Sequence, residues 1–231
     1  MTQSRYLICT LFTVLASLAA THTWAADTTA PAAADPAMYA LGVLLSHNVD
    51  PFDLTEKEFS AVMAGFADGF HRREGTQNAR DFGLQLQALQ RARIAASAQR
   101  ARQDGKAYLD SAAALPGAKK TASGLVYLSE TDGTGVGPSS ADQVRVRYSG
   151  KLISGAVFDS TAPDGPGATF PLSGVIPCWS EALQQMRAGG KARLVCPPEL
   201  AYGDRGSPPL IRPASTVDFQ IELLEVIPAA R

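Results

Sequence analysis

V-R-V-R-Y-S-G, residues 144–150, opens the stretch that decides the fold. The stretch continues through F-D-S (Phe158–Ser160) and V-I-P-C-W (Val175–Trp179) and closes on P-P-E-L-A-Y-G (Pro197–Gly203). Its aromatic residues are Tyr148, Phe158, Phe170, Trp179 and Tyr202. Long gaps separate most of them, so they meet only in three dimensions. The polar groups among them are few: the Asp159 carboxylate and two tyrosine hydroxyls. An apolar pocket with a few placed polar groups is the usual form of a small-ligand or peptide site.

Working outward, the texture around this stretch is that of strands and turns. Leu125–Leu128, Gln143–Tyr148, Thr169–Leu172, Arg193–Cys196 and Val217–Val226 are short, apolar-rich runs separated by Gly, Pro, Asp and Ser. Such runs read as β-strands. Glu181–Ala188 is the one helical segment, with Gly189-Gly190 placed as its cap. The region is therefore expected to be a small antiparallel sheet with one short helix, whose Trp179, Leu183 and Met186 turn toward the sheet.

The chain before it has a different texture. Thr55 followed by Glu58 forms a capping box, and Leu54 and Phe59 flank it as a hydrophobic staple. Phe59, Val62, Met63, Phe66 and Phe70 then follow helical spacing. A helix over Glu56–Phe70 follows, preceded by a shorter one over Ala37–Leu45. From Ala79 to Ala114 the sequence is rich in Ala, Gln, Arg and Leu and free of proline. That composition favours one long helix, extending on the order of 50 Å. Its apolar stripe is thin, so it is expected to project as a stalk or to pack against a partner chain. Arg91, Arg93, Arg100 and Arg102 raise the possibility of a nucleic-acid partner, but a solvated helix face is the commoner explanation. Leu115-Pro116-Gly117 ends the helix.

The amino terminus carries an address. Arg5, the apolar run Tyr6–Ala20 and Thr23-Trp24-Ala25 form a secretory signal, with cleavage expected after Ala25. The run is shorter than the ~20 residues a membrane span needs, so no stable membrane insertion is expected after cleavage. Residues 26–36 read as a disordered leader. The exported address places the mature chain in the periplasm or outside the cell and argues against nucleic acid. The whole chain of 231 residues has a formal net charge of -1, with 19% charged and 45% hydrophobic residues. Those are the values of an ordinary globular protein.

The exported part keeps two cysteines, Cys178 and Cys196. An even count in an oxidising compartment favours a disulfide, closing a loop of about 18 residues worth about 3 kcal/mol. The alternative is two buried free thiols. Two cysteines without a nearby histidine fall short of a structural zinc site, and no metal or other cofactor is expected.

The chemistry open to the pocket is narrow. His22, His47 and His71 all precede it, which removes Ser-His-Asp and Cys-His mechanisms. No phosphate-loop lysine follows the glycines at 133–137, and no carboxylate pair suits glycoside hydrolysis. One reaction needs nothing more than such a pocket. Rotation about an X–Pro bond meets a barrier of ~18–20 kcal/mol set by amide resonance. Apolar walls that strip water from the amide and fit its twisted form lower that barrier without covalent chemistry.

Residues Thr121–Ile227 resemble the FKBP-type peptidyl-prolyl cis-trans isomerases. The resemblance rests on V-R-V-R-Y-S-G, F-D-S, F-P-L-S-G-V-I-P-C-W, M-R-A-G-G-K-A-R-L and A-Y-G-D-R-G. It implies a twisted antiparallel half-barrel sheet wrapped on a short helix. It also implies that Trp179 floors the pocket and that Tyr148, Phe158, Val175, Ile176, Ile211 and Phe219 wall it. Asp159 would sit beside the substrate amide, with the Ile176 N–H and the Tyr202 hydroxyl as peptide donors. Three positions depart from the family pattern: Cys178 where Gly is usual, Ser207-Pro208-Pro209 in a loop that often carries Gly, and Ala168 where some members place an aromatic. Paired cysteines at Cys178 and Cys196 recur in some exported members.

The preceding region resembles the amino-terminal segment of the macrophage-infectivity-potentiator-like subgroup, through Tyr39–Gly42, Phe59–Gly69 and Gly105–Leu109. The resemblances together imply an α+β protein. A helical dimerisation domain and long helix over 37–115 would precede an isomerase domain over 121–228. It would act as a homodimer on proline-containing, folding polypeptides. The rival expectation is a non-catalytic chaperone or peptide-binding module on the same fold. The presence of Asp159, Trp179 and Tyr202 favours the enzyme.

Overall fold

A computed structural model describes residues 35–229. The signal over 1–25, with His22, and most of the leader over 26–36 lie outside the described residues. Helix α1 spans Pro36–Ser46 and α2 spans Glu56–Phe70. The capping box forms as expected: the Glu58 N–H donates to Thr55 Oγ1 at 3.3 Å, and the Thr55 N–H donates to Glu58 Oε2 at 2.9 Å. Neither helix buries a residue.

Helix α3 spans Gly83–Ala113, after a 3-10 segment over Thr76–Phe82. Its 31 residues give a length of about 46 Å. At its start the apolar residues Leu84, Leu86 and Leu89 are exposed. Its second half does not project as a stalk, because Ala98, Gly105, Leu109 and Ala112 are buried. Small residues make this possible. A Cβ on Gly105 would run into the Thr216 side chain, so glycine lets the helix backbone settle on the sheet. Leu109 and Ala112 pack on Val126 and Val195. Beside them the Tyr108 hydroxyl donates to Asp218 Oδ2 at 2.6 Å. Arg193 donates to the same carboxylate through Nε and Nη2, and its guanidinium lies 5.9 Å from the centre of the Tyr108 ring. The helical arginines are largely neutralised within the chain: Arg93 pairs with Glu58, Arg100 with Asp53 and Arg102 with Asp204.

Seven antiparallel strands follow: β1 (Lys119–Lys120), β2 (Val126–Thr131), β3 (Gln143–Leu152), β4 (Val157–Ser160), β5 (Ala168–Pro171), β6 (Lys191–Cys196) and β7 (Val217–Ile227). Their order is β1-β2-β6-β7-β3-β4, with β5 also paired to β3. The β3–β7 ladder runs from Gln143↔Ile227 to Leu152↔Val217. β1 and β4 were not anticipated. The first lies in the linker, and the second is four residues long, too short to show alternation.

The short helix α4 spans Pro177–Leu183, starting four residues ahead of the sequence-based expectation. Pro177 occupies its first turn, where a proline has no N–H to lose and its φ already suits a helix. Gly189 does not cap this helix. It sits at φ 89° in a separate turn and donates its N–H to the Leu223 carbonyl at 2.7 Å. The sheet wraps α4, and Trp179, Ala182 and Leu183 join Leu125, Val144, Leu194 and Leu223 in one core. A disulfide between Cys178 and Cys196 ties α4 to β6, with Cα atoms 5.9 Å apart.

Candidate active site

Around Trp179 the aromatic residues meet. The indole ring stands edge-to-face against Tyr148 at 4.9 Å, Phe219 at 5.3 Å and Phe170 at 5.8 Å between centroids. Phe219 continues to Phe158 at 5.6 Å, and Phe158 to Tyr202 at 6.1 Å, again nearly perpendicular. Each such contact is favoured by the ring quadrupoles. Jointly they leave little freedom to any one ring. Trp179 is 5% exposed, so it forms the base of this group, while Tyr148, Phe158 and Tyr202 stay partly exposed above it.

Backbone pairing explains how distant residues converge. Gly150 lies opposite Asp159 across the β3–β4 pair and opposite Phe219 across the β3–β7 pair. A Cβ at Gly150 would lie 2.7 Å from the rings of both Phe158 and Phe219. Glycine there lets both rings lie over the strand. The Tyr148 N–H donates to Thr161 Oγ1 and the Thr161 N–H to the Tyr148 carbonyl, both at 3.0 Å. That fixes the edge on which Tyr148 and Asp159 stand.

The polar groups gather at the rim. The Tyr148 hydroxyl donates to Asp159 Oδ2 at 2.6 Å. Burial, then this hydrogen bond and the negative charge of Asp159, push the Tyr148 phenol far above its ordinary value. Burial, and behind it the same carboxylate, also raise Tyr202. Both phenols therefore remain protonated donors at neutral pH. Ile176 is extended just ahead of Pro177, and its N–H makes no hydrogen bond among the described residues. The buried indole N–H of Trp179 likewise lacks an acceptor among them. Ile211 is 3% exposed and is held by reciprocal backbone bonds with Ser207 at 2.7 and 2.9 Å.

The sequence-based candidates Tyr148, Phe158, Trp179, Tyr202 and Phe219 are thus brought together directly, and Asp159 is joined to them through Tyr148. Val175, Ile176 and Ile211 belong to the same core cluster. Phe170, Gly150 and Thr161 also build the site but were not among the candidates. Phe170 was visible as an aromatic of the deciding stretch. The roles of Gly150 and Thr161 depend on strand register, which no local pattern displays. Chemically the arrangement offers an apolar base, hydroxyl and N–H donors and a single carboxylate engaged by a phenol. It can desolvate and grip an amide, and its donor set is poor in metal ligands.

Known proteins resemble this chain over most of its length. Residues 135–224 match the family model described as FKBP-type peptidyl-prolyl cis-trans isomerase. Residues 34–128 match the one described as the domain amino terminal to FKBP-type peptidyl-prolyl isomerase. The FKBP-type 22 kDa peptidyl-prolyl cis-trans isomerase of Escherichia coli K12 is 39% identical over 201 residues, covering 83% of this chain and 94% of that one. The FKBP-type isomerase FkpA of the same organism is 35% identical over 256 aligned positions, covering 99% of this chain and 93% of its own. The crystal structure of FkpA from Escherichia coli superposes with a TM-score of 0.66 at 34% identity, covering 84% of this chain and 96% of that chain.

Proposed function

The chain belongs to the FKBP-type peptidyl-prolyl cis-trans isomerases, and on that premise we propose that the ring of aromatics on Trp179 is where it turns X–Pro bonds. In this reading Trp179 floors the proline ring, and Tyr148, Val175, Ile176, Ile211 and Phe219 wall it. Phe158, Asp159 and Tyr202 act on the amide itself. In the planar amide, resonance places negative charge on the carbonyl oxygen, and rotation removes that charge separation. A water-poor pocket disfavours the charge-separated planar form more than the twisted one, so the barrier falls without covalent bonding. Donation from the Tyr202 hydroxyl and the Ile176 N–H holds the peptide while the bond turns. Asp159, engaged by Tyr148, keeps a fixed negative field beside the amide. The supporting observation is the convergence of six aromatic rings with this carboxylate at their rim.

The substrates in this reading are proline-containing polypeptides folding outside the cytoplasm. The mature chain would begin after Ala25 and reside in the periplasm or beyond it. The sequence supports that address, and no helix among the described residues is long and apolar enough to cross a membrane. Residues 37–115 would pair two chains and 121–228 would form the isomerase domain. The outward apolar faces of α1 and α2 support the pairing: Met38, Leu44, Phe59, Met63 and Phe66 are all exposed. Two linked pockets would then hold one client at two points and raise its apparent affinity through effective concentration.

The test is the cis-to-trans rate of a short X–Pro peptide, measured with the mature chain and with an Asp159→Ala, Tyr202→Phe double variant. A loss of at least tenfold in kcat/KM, about 1.4 kcal/mol of transition-state stabilisation, is expected. A native chain that leaves the peptide rate unchanged while suppressing client aggregation would overturn the catalytic reading.

A further inference from the structure

A cavity of about 650 Å³ lies beside the isomerase pocket, between the turn Asp50–Phe52, helix α3 and the loop over 203–213. Its apolar walls are Pro51, Ile94, Pro208, Pro209, Ile211 and Pro213, and the charged residues Asp50, Asp53, Asp204, Arg205 and Arg212 line the rest with His47 and Ser97. Proline rings present apolar faces and no N–H donors, so the apolar part of the lining favours apolar shape over backbone hydrogen bonding. A volume of this size accommodates a few side chains of a ligand.

The cavity is bridged on both sides. Asp53 accepts from Arg100 of α3 and from Arg212 of the loop, the latter at 2.9 Å. Arg102 of α3 pairs with Asp204 near the start of the same loop. Half-exposed pairs of this kind are worth little singly, but they join the helix to the loop at two separated points. The loop itself is closed by the Ala214 N–H donating to the Gly203 carbonyl at 3.0 Å. The cleft is therefore braced by contacts within the chain itself.

Its position relative to the aromatic site identifies an occupant. Ile211 lines this cleft and belongs to the same core cluster as Trp179. Asp204 and Arg205, which also line the cleft, directly follow Tyr202 and Gly203 in the chain. The cleft and the aromatic site thus share Ile211. We propose that the cleft takes the flank of the polypeptide whose proline occupies the pocket on Trp179, as an extended segment carrying an aliphatic or aromatic side chain. This inference rests on the reading of that pocket as the isomerase site. A flank bound here gives an unfolded protein a second point of attachment that a short peptide lacks. The cleft then favours long, apolar clients over small ones without touching the reacting amide.

Ser97 lines the cleft from α3 and lies outside the aromatic site. Ser97→Trp fills the cavity. Ile94→Ser weakens its apolar wall without adding bulk and guards against a folding defect, which circular dichroism would reveal. Each variant is assayed on a four-residue X–Pro peptide and on an unfolded protein whose refolding is limited by proline isomerisation. The expected result is a kcat/KM on the peptide within twofold of native, with KM for the refolding protein raised fivefold or more. Equal losses on both substrates, or no loss on either, would overturn the inference. So would a shift from dimer to monomer in sedimentation velocity, which would assign the cleft to a second copy of the chain. A native chain inert on the short peptide sinks the isomerase reading of the pocket and this inference with it. A native chain active on the peptide with variants indistinguishable on the protein sinks only the cleft.

Discussion

Leu183 in α4 and Phe66 in α2 are both large, apolar and helical, yet Leu183 is 0% exposed and Phe66 is 57% exposed. The contrast extends to the regions around them. In the sheet domain Leu125, Val144, Leu194 and Leu223 have no contact with solvent. In α1 and α2 no residue is buried at all. Fully burying one such side chain is worth about 1.5–3 kcal/mol, so an amphipathic helix left open forgoes most of what would hold it in place. The sheet domain completes its core within one chain, with a disulfide across it. The helical region has the pattern of half a core and is completed in the proposed dimer.

The largest expected effect tests that division directly. Phe66→Glu places a charge in the middle of the apolar stripe of α2. In a symmetric pair the loss counts twice, about 3–6 kcal/mol, so sedimentation velocity should show the dimer dissociation constant raised a hundredfold or more. Activity on a short X–Pro peptide should stay within twofold. If dimerisation survives, the contrast between the two regions has been misread.

A smaller effect belongs to the other side of the comparison. Replacing both Cys178 and Cys196 with Ser should lower the unfolding free energy of the sheet domain by about 3 kcal/mol in the chain-entropy model, measured by urea titration. Dimer affinity should not change. A loss of dimer in this variant would show that the two regions do not stabilise independently.

The smallest effect is one of pH. The unfolded chain releases its tyrosine protons near pH 10, whereas burial and the Asp159 carboxylate hold Tyr148 and Tyr202 above that value in the fold. Above pH 10 the folded state then binds more protons than the unfolded one. The stability these groups contribute is complete below pH 10 and is lost as pH rises toward their folded values. Urea midpoints should be insensitive to the tyrosines between pH 6 and 9 and should fall above pH 10, less steeply in Tyr148→Phe. An equal slope in native and variant would remove Tyr148 from this account.

Much of this was legible from residues alone. The capping box at Thr55 and Glu58 set the start of α2, because its two hydrogen bonds depend only on neighbouring residues. The aromatics that meet on Trp179 were visible in combination, since all but Phe219 sit in short motifs. Three features escaped for one physical reason: they depend on register between distant segments. Gly150 makes room for Phe158 and Phe219 only once β3 lies between β4 and β7. Tyr108 finds Asp218 across 110 positions of sequence. The second half of α3 looked too sparsely apolar to dock, yet its small residues are what allow close approach to the sheet. Helix α4 was displaced for a different reason: Pro177 reads locally as a breaker but acts as a helix start.

The anchorage of α3 has a mechanical consequence. Gly105 and Tyr108 fix the phase of the helix against the sheet, so the helix acts as a keyed shaft rather than a tether. Each residue inserted upstream of Gly105 would turn α2 by about 100° and advance it by about 1.5 Å relative to the sheet domain. Insertions of seven residues would nearly restore the phase, while insertions of two would invert it. In the proposed dimer, the direction in which the two pockets face is therefore written in the residue count between α2 and Gly105.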